Sequence, residues 1–587
     1  MRFATLLAIT LVTSAACSDS NGSHPIAISA PSIAISAPAE GQQITGSSTV
    51  AVTGSVAGEG IQSVTVSVNG GTAVTATVAN GAFSASVTLE NGSNTLLATA
   101  LAAGESASAT VHVSYSAAPV PPAPVPPAPA AVIAITAPVE GQRVTGPGSR
   151  VMVVTGTVAG QSIRAVTVSV NGGTAVPATV SNGAFSASVT LAGGANTLVA
   201  TVTSAAAPAS ATVHLSYPYV ALTSFEPAAV VIGQAGFTSR DAARTPAANT
   251  LRRVYGNPGF DGTRLFVPDY EDNRVLTFGT VPTASNASAT FALGQASGSA
   301  NLTSTTEGAD ATVWNGPQTV QAVGTQLFVV DHDNSRVLIV SPAAGAAATV
   351  VVRATTTAGT TCEAAGLDLP QSLFVTGTRL IVADSGNNRV LVWNSIPTQG
   401  TAPSVVLGQA SFTSCNPNRS TAVGAVPGQN TLSYPSDVWS DGTRLYVADT
   451  GNNRILVWND MATLANGKAA DVVLGQAGSF TSATAGTGAG AFRHPSFIGS
   501  NGNQLFVADS GNSRVLVWNA LPVTNVAADL VLGQNDFTHG TANDDDQNGF
   551  EDTVPSARTL AEPSGVTVLD NALVVGDHAN RRYLIFK

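Results

Sequence analysis

The 587-residue chain is short of charge. Only 10% of its residues are Asp, Glu, Lys or Arg, aromatics make up 5%, and Cys and Met occur three times each. Lysine is nearly absent and the formal net charge is −11, which argues against a nucleic-acid partner, because phosphate binding needs a basic stripe. No stretch beyond the N-terminal region is long and apolar enough for a transmembrane helix. What the chain has in quantity is Ala, Val, Ser and Thr, with 57 Gly and 32 Pro. That composition suits many short strands joined by turns. The length allows about three or four domains.

Residues 1–16 read as an export signal: Arg2, the apolar run Leu6 to Val12, then small residues. The ending Ser14-Ala15-Ala16-Cys17 resembles a bacterial lipobox, which implies a lipid anchor on Cys17 and, through it, a membrane partner. Lipoboxes usually carry Leu where Ser14 stands, and ordinary cleavage after Ala16 is the alternative. Residues 17–31 are then a polar tether. Either route takes the protein out of the cytoplasm, to an outer membrane or cell surface or into the medium.

Residues 32–115 and 133–217 are one domain written twice. VTVSVNGGTAV from Val64 recurs at Val166, and NGAFSASVTL from Asn80 recurs at Asn182. Val64, Val66 and Val68 alternate with Thr and Ser, the pattern of a strand with one buried face. Asn69-Gly70-Gly71 and Asn80-Gly81 are turn signals. Seven or so strands in such a length predict an immunoglobulin-like sandwich, and both copies resemble bacterial Ig-like modules. Phe83 and Phe185 are expected in the cores. Between the copies, residues 116–132 carry AAPVPPAPVPPAPAA, a polyproline II spacer of roughly 40 Å at about 3.1 Å per residue.

From residue 218 to 587 a different phrase takes over. RLIVADSGNNRVLVWN (Arg379), RLYVADTGNNRILVWN (Arg444) and QLFVADSGNSRVLVWN (Gln504) are its clearest copies; looser ones begin at Arg264, Gln326 and Ala572. Each has an Asp (269, 331, 384, 449, 509, 577) and, five residues on, an Arg (274, 336, 389, 454, 514, 582). A Pro-led strand precedes the phrase and a VLGQ strand follows it. Four strands repeated six times predict a six-bladed β-propeller. The chain stops at Tyr583 to Lys587 with no fourth strand after it, while a spare copy, VVIGQAGFTS, stands at Val230. This N-terminal strand is expected to complete the sixth blade, which removes an exposed edge. The wording P-x-x-V…LYVADTGNNRILVW resembles the NHL-repeat family. The fold class expected is all-β: two Ig-like β-sandwiches followed by a six-bladed propeller closed by an N-terminal strand.

The Asp and Arg of the phrase recur in every blade, whereas a catalytic site needs a unique place. They read as scaffold: Asp and Asn accepting bonds from turn amides, Gly or Asn in the left-handed region, Arg tying neighbouring strands. Function is sought where the repeats differ. The residue after the repeat Asp is Ser or Thr in three blades but Tyr270, His332 and His578 in the first, second and sixth, with Glu271 and Asp333 beside them. These five are the candidate ligand-binding residues, for a polar ligand or a metal; the alternative is tolerated variation in exposed turns. Asp544, Asp546, Asn548 and Asp552 resemble the first nine positions of calcium loops such as EF-hands and thrombospondin type 3 repeats, with Pro555 where the closing Glu would stand. Calcium is thus the one cofactor suggested, against a solvated acidic loop. An exported protein with Cys362 and Cys415 left after processing can pair them, and the spacing permits it.

Together these features predict an exported, surface-anchored binding protein that presents its propeller to a glycan, peptide or protein. The alternative is a metal-dependent lyase or hydrolase, lactonase-like, since related propellers include an amidating lyase, lactonases and streptogramin lyase. No His constellation of those enzymes can be carried over residue by residue, so the enzyme rests on fold analogy alone.

Overall fold

The computed structural model describes residues 30–119, 130–145, 150–205, 207–241, 245–295, 302–353 and 362–587. The export signal, Cys17 and most of the proline-rich spacer lie outside them. The chain falls into two compact units, residues 1–126 and 127–587. It is all-β, with only short 3-10 turns as helical structure among the described residues.

The first unit is a two-sheet sandwich. Ser32–Ala37, Thr49–Ala57, Ala82–Thr88 and Thr77–Ala79 form one sheet, and Gln42–Thr45, Glu105–Ser116, Gly92–Ala102, Ile61–Val68 and Val74–Thr75 the other. That is nine strands rather than seven, because two short strands from the Gly-rich turns pair at the edges. Alternation decides the core: Val52, Val64, Val66, Leu96, Ala98 and Ala100 are fully buried, as is nearly all of Phe83. Gly54 shows why one position must lack a side chain. A Cβ there would stand 2.5 Å from the Phe83 ring and 2.0 Å from the Ala34 carbonyl oxygen.

The second sandwich repeats this plan, with Gly156 against Phe185. It belongs to the same compact unit as the six sheets that follow. Asn503 donates to the carbonyls of Val144 and Pro218 at 3.1 and 2.9 Å. Gln504 exchanges two bonds with the Val220 backbone, at 2.7 and 3.0 Å.

Six four-stranded antiparallel sheets follow, spanning 259–293, 317–353, 372–407, 435–474, 495–532 and 563–586. None closes on itself. In each, strands pair in chain order, and the sixth takes its fourth strand from Val230–Ile232, in register Val230↔Ile585, Val231↔Leu584, Ile232↔Tyr583. TVVVR, the degenerate fourth strand of the second sheet, still pairs antiparallel with the third strand, but with a register shift between Val337 and Leu338 that its counterparts lack. First strands of consecutive sheets touch. The sixth also meets the first: Gly256 donates to the Ser564 carbonyl at 2.7 Å, and Val566 N–H to Asn257 Oδ1 at 2.7 Å.

At the centre lies a buried carboxylate, Asp437, with no cationic partner among the described residues. Asp437, from the fourth sheet, accepts from Asn257 Nδ2 of the first sheet at 3.0 Å, Ile498 N–H of the fifth at 2.6 Å, its neighbour Val438 N–H at 2.8 Å, and the hydroxyl of Ser372 in the third. Burial pushes its pKa up to about 7, against those hydrogen bonds.

The repeat Asp and Arg are scaffold, and the arginine reaches further than the sequence suggests. In the fourth sheet, Asp449 Oδ1 accepts from Ser433 N–H at 2.8 Å, and Oδ2 accepts from Asn452 Nδ2 and Arg454 Nε at 2.8 and 2.7 Å. Arg454 Nη2 then donates to the carbonyls of Gly428 and Thr431 at 2.9 and 3.0 Å, and Nη1 to that of Phe480. So Arg joins its strand to the Asp strand beside it and ties connecting loops as well; Asn452 donates, while Asn453, just before the Arg, accepts from His494 N–H at 2.7 Å. A guanidinium with five fixed donors can satisfy carbonyls from two loops at once. The left-handed residue before each Arg is Asn273, Ser335, Asn388, Asn453, Ser513 or Arg581, never Gly.

Candidate functional site

The turns after the repeat Asp carry the predicted residues, and the structure brings some of them together. Tyr270 O–H reaches both carboxylate oxygens of Asp333, at 2.9 and 3.0 Å. Its ring stands edge-on to His332, 5.9 Å between centroids, and Arg253 lies 5.1 Å over it. His332 is buried, and its Nδ1 must carry the proton, since it meets the Pro370 carbonyl at 2.8 Å. Burial holds His332 below the usual imidazole range and pushes Tyr270 up, the latter helped by its bond to Asp333. Glu271 makes no bond to Tyr270 or His332. It turns to Arg252 at 3.3 Å and Arg253 at 3.9 Å, and with them lines a cavity shared with Glu562 and His578.

Nor does His578 meet Tyr270 or His332 directly. All three are linked through Tyr255, whose ring is 5.4 Å from His578 and 6.4 Å from Tyr270. Tyr255 also packs edge-on to Phe497 of the fifth sheet at 5.6 Å. The predicted arc is therefore one hydrogen-bonded cluster plus a separate pocket of about 200 Å³, where Tyr255 and His578 face His494, Glu562 and the hydroxyl-bearing Ser496 and Ser510.

Tyr255 went unread at the sequence level, although a signal exists. It occupies the repeat position that follows the strand-leading Pro elsewhere, held by Ser436, Ser496 and Ser564 in three sheets and by Gln318 and Gln371 in two. The first sheet alone puts an aromatic there and lacks the Pro. Burial pushes the Tyr255 hydroxyl up to about 12, so it stays a donor. Gln371 Nε2 donates to Tyr434 O–H at 2.6 Å, while the buried Oε1 atoms of Gln318 and Gln371 have no protein donor among the described residues.

His578 makes this pocket sensitive to acid. Burial, then Arg253 and Arg581, lower its pKa from 6.5 to about 4. The unfolded chain binds that proton first, so the stability His578 contributes is present above pH 6.5 and is lost as pH falls towards 4. Linkage makes the displacement worth at most about 3 kcal/mol. Melting temperatures measured between pH 7 and pH 4 should fall less for His578→Phe than for the parent chain; parallel curves would refute this.

In the connection before the sixth sheet, Asp544, Asp546 and Asp552 bring one carboxylate oxygen each within 4.8 Å of one another. Asp544 is buried and accepts from the N–H groups of Asn548 and Gly549 at 2.9 and 2.8 Å. Asn548 is used within the loop: its Oδ1 accepts from Phe550 N–H at 2.8 Å and its Nδ2 donates to Asp546 at 2.9 Å. Cys362 and Cys415 form a disulfide, Cα atoms 6.0 Å apart, joining the connections before the third and fourth sheets.

Residues 31–116 match the family described as Glucodextranase, domain B, an Ig-like domain. No curated protein matches the chain. Among solved structures, an auxiliary nutrient binding protein from Bacteroides ovatus is 11% identical, covering 79% of this chain and 99% of that one, at a TM-score of 0.34. The fibronectin(III)-like modules of Clostridium thermocellum CbhA are 15% identical over 32% of this chain and 94% of theirs, at 0.13. A nidogen/laminin complex is 12% identical over 49% and 88%, at 0.28. At those scores the likenesses carry no argument.

Proposed function

We propose that the six sheets form an NHL-type six-bladed propeller, carried outside the cytoplasm behind two Ig-like modules, and that it binds a glycan at the Tyr255 pocket. Contact between each sheet and the next, and between the sixth and the first, supports the propeller. The disulfide fits an oxidising compartment. A lipid on Cys17 would anchor the protein to a membrane; among the described residues no helix is long and apolar enough to cross one.

The observation that carries the glycan reading is the composition of that pocket. One aromatic face, Tyr255, stands beside two imidazoles, His494 and His578, and a carboxylate, Glu562. A sugar ring can lay its C–H face on the tyrosine and its hydroxyls against the polar rim. On combined glycan and peptide arrays the chain is expected to retain glycans, with Tyr255→Ala weakening retention about tenfold, the equivalent of roughly 1.4 kcal/mol of lost stacking. Capture of peptides instead, or binding indifferent to Tyr255→Ala, would defeat the proposal.

The same proposal includes calcium at Asp544, Asp546 and Asp552, hard oxygen donors suited to that ion. Calcium at a hundredfold excess over its Kd should stabilise the protein by about 2–3 kcal/mol, raising the melting temperature relative to chelator. Joint replacement Asp544→Asn and Asp552→Asn should abolish the shift. Identical melting in calcium and chelator would rule the ion out.

A further inference from the structure

A cavity of about 360 Å³ lies between the first strands of all six sheets, and Arg143 of the second sandwich lines it. Six equivalent positions face one another there, each opposite the same register position of its second strand: Gly259, Gln321, Phe374, Trp439, Gly499 and Thr567. Two are already used. Gln321 exchanges bonds with the Val375 backbone at 3.0 and 2.6 Å, and Thr567 donates to the Pro258 carbonyl at 2.7 Å. The remaining four divide into two aromatics, Phe374 and Trp439, and two glycines, Gly259 and Gly499, where a Cβ would stand 2.8 Å from Val320 and 2.7 Å from Val566. Phe374 and Trp439 lie 6.1 Å apart with their rings tilted by 57°, and give the cavity an aromatic wall.

Two donors in it have no protein partner among the described residues. The other four tryptophans each give their indole N–H to a backbone carbonyl, of Ala311, Thr401, Lys468 and Val526. Trp439 is 8% exposed, and among the described residues no acceptor meets its Nε1. Arg143 is exposed and makes no hydrogen bond or ion pair among the described residues. Among the described residues it is the only charged one lining the cavity, in a chain whose net charge is −11.

The two sandwiches differ at this point. Arg143 pairs with Ser216 where the first sandwich pairs Gln43 with Ser114. The copy attached to the sheets is the one with arginine. Asn503 fixes its neighbour Val144, so the guanidinium is presented by a strand rather than by a loose loop.

We propose that this cavity binds a small carboxylate carried on a ring body of one or two sugar or aromatic rings. Arg143 pairs with the carboxylate through its fork of N–H donors, and Trp439 offers an indole N–H together with a flat face. The volume suits a ligand of that size. Neutral analogues leave Arg143 with water alone, which is why the acid is favoured.

The test titrates the full chain with D-glucuronate and phenylacetate, alongside D-glucose and benzyl alcohol, by calorimetry and tryptophan fluorescence. At least one acid should bind saturably, with its neutral counterpart about tenfold or more weaker, as expected for a lost charge-assisted bond. Arg143→Gln, which installs the first sandwich's residue at an exposed strand position, should weaken the acid by about the same factor. Trp439→Phe, checked for an unchanged melting transition, should remove the fluorescence response. Absence of saturable binding by both acids, or equal binding by Arg143→Gln, would overturn the proposal.

Discussion

Arg454→Met is expected to destabilise the six-sheet unit by about 3–5 kcal/mol, the cost of removing one partner from a buried ion pair. Arg454 and Asp449 are both 0% exposed. The substitution keeps the apolar stem but strands a carboxylate that burial already pushes towards protonation and that Arg454 holds down. It also leaves the carbonyls of Gly428, Thr431 and Phe480 without this donor. Lysine should rescue little, because one ammonium cannot reach acceptors on both sides of the carboxylate. Removing the pair together, Asp449→Leu with Arg454→Met, should cost less than the sum of the single changes. Denaturant unfolding of the four proteins completes the cycle. Additive losses would mean that the pair is not coupled and that the sixfold repetition has another cause.

That pair also marks how far sequence could reach. Its sixfold recurrence identified scaffold correctly, because a chemistry repeated in every sheet cannot be a unique site. The partners of the arginine were not legible, since they are loop carbonyls and any residue supplies one. The same limit applies to Asn257 and Asp437. They lie 180 residues apart, and each looks like a local departure from its repeat until the first and fourth sheets meet across the centre. Tyr270, His332 and His578 were found because they differ from Ser or Thr at one repeat position. Tyr255 was missed because the comparison was made one strand away from it. The arginines that hold Glu271, Arg252 and Arg253, were not legible, because adjacency in sequence says nothing about them. Arg143 could not be seen at all: its meaning depends on a sandwich docking against a strand turn some 360 residues later.

The borrowed strand was legible, and relocating it gives the sharpest test of the six-sheet unit. A chain beginning at residue 245 loses Val230–Ile232 and should aggregate. It exposes the edge of Arg582–Phe586, whose residues are all buried in the intact protein. It also strips the acceptor that the Phe237 carbonyl provides for Arg582. A chain beginning at residue 218 keeps the strand and serves as the control for absence of the sandwiches. Appending residues 228–241 after Lys587 through a short Gly-containing turn should restore a soluble monomer. Pairing is antiparallel with Val230 opposite Ile585, so the relocated strand would return as a hairpin with a loop of only a few residues. Val231 is fully buried, and Val231→Asp within the appended segment should cancel the rescue by placing an unpaired charge in the core. Size-exclusion profiles and melting curves of the four chains decide the matter. If the chain beginning at 245 stays monomeric and melts like the one beginning at 218, the N-terminal strand is an accessory, and the sixth sheet holds its edge by other means.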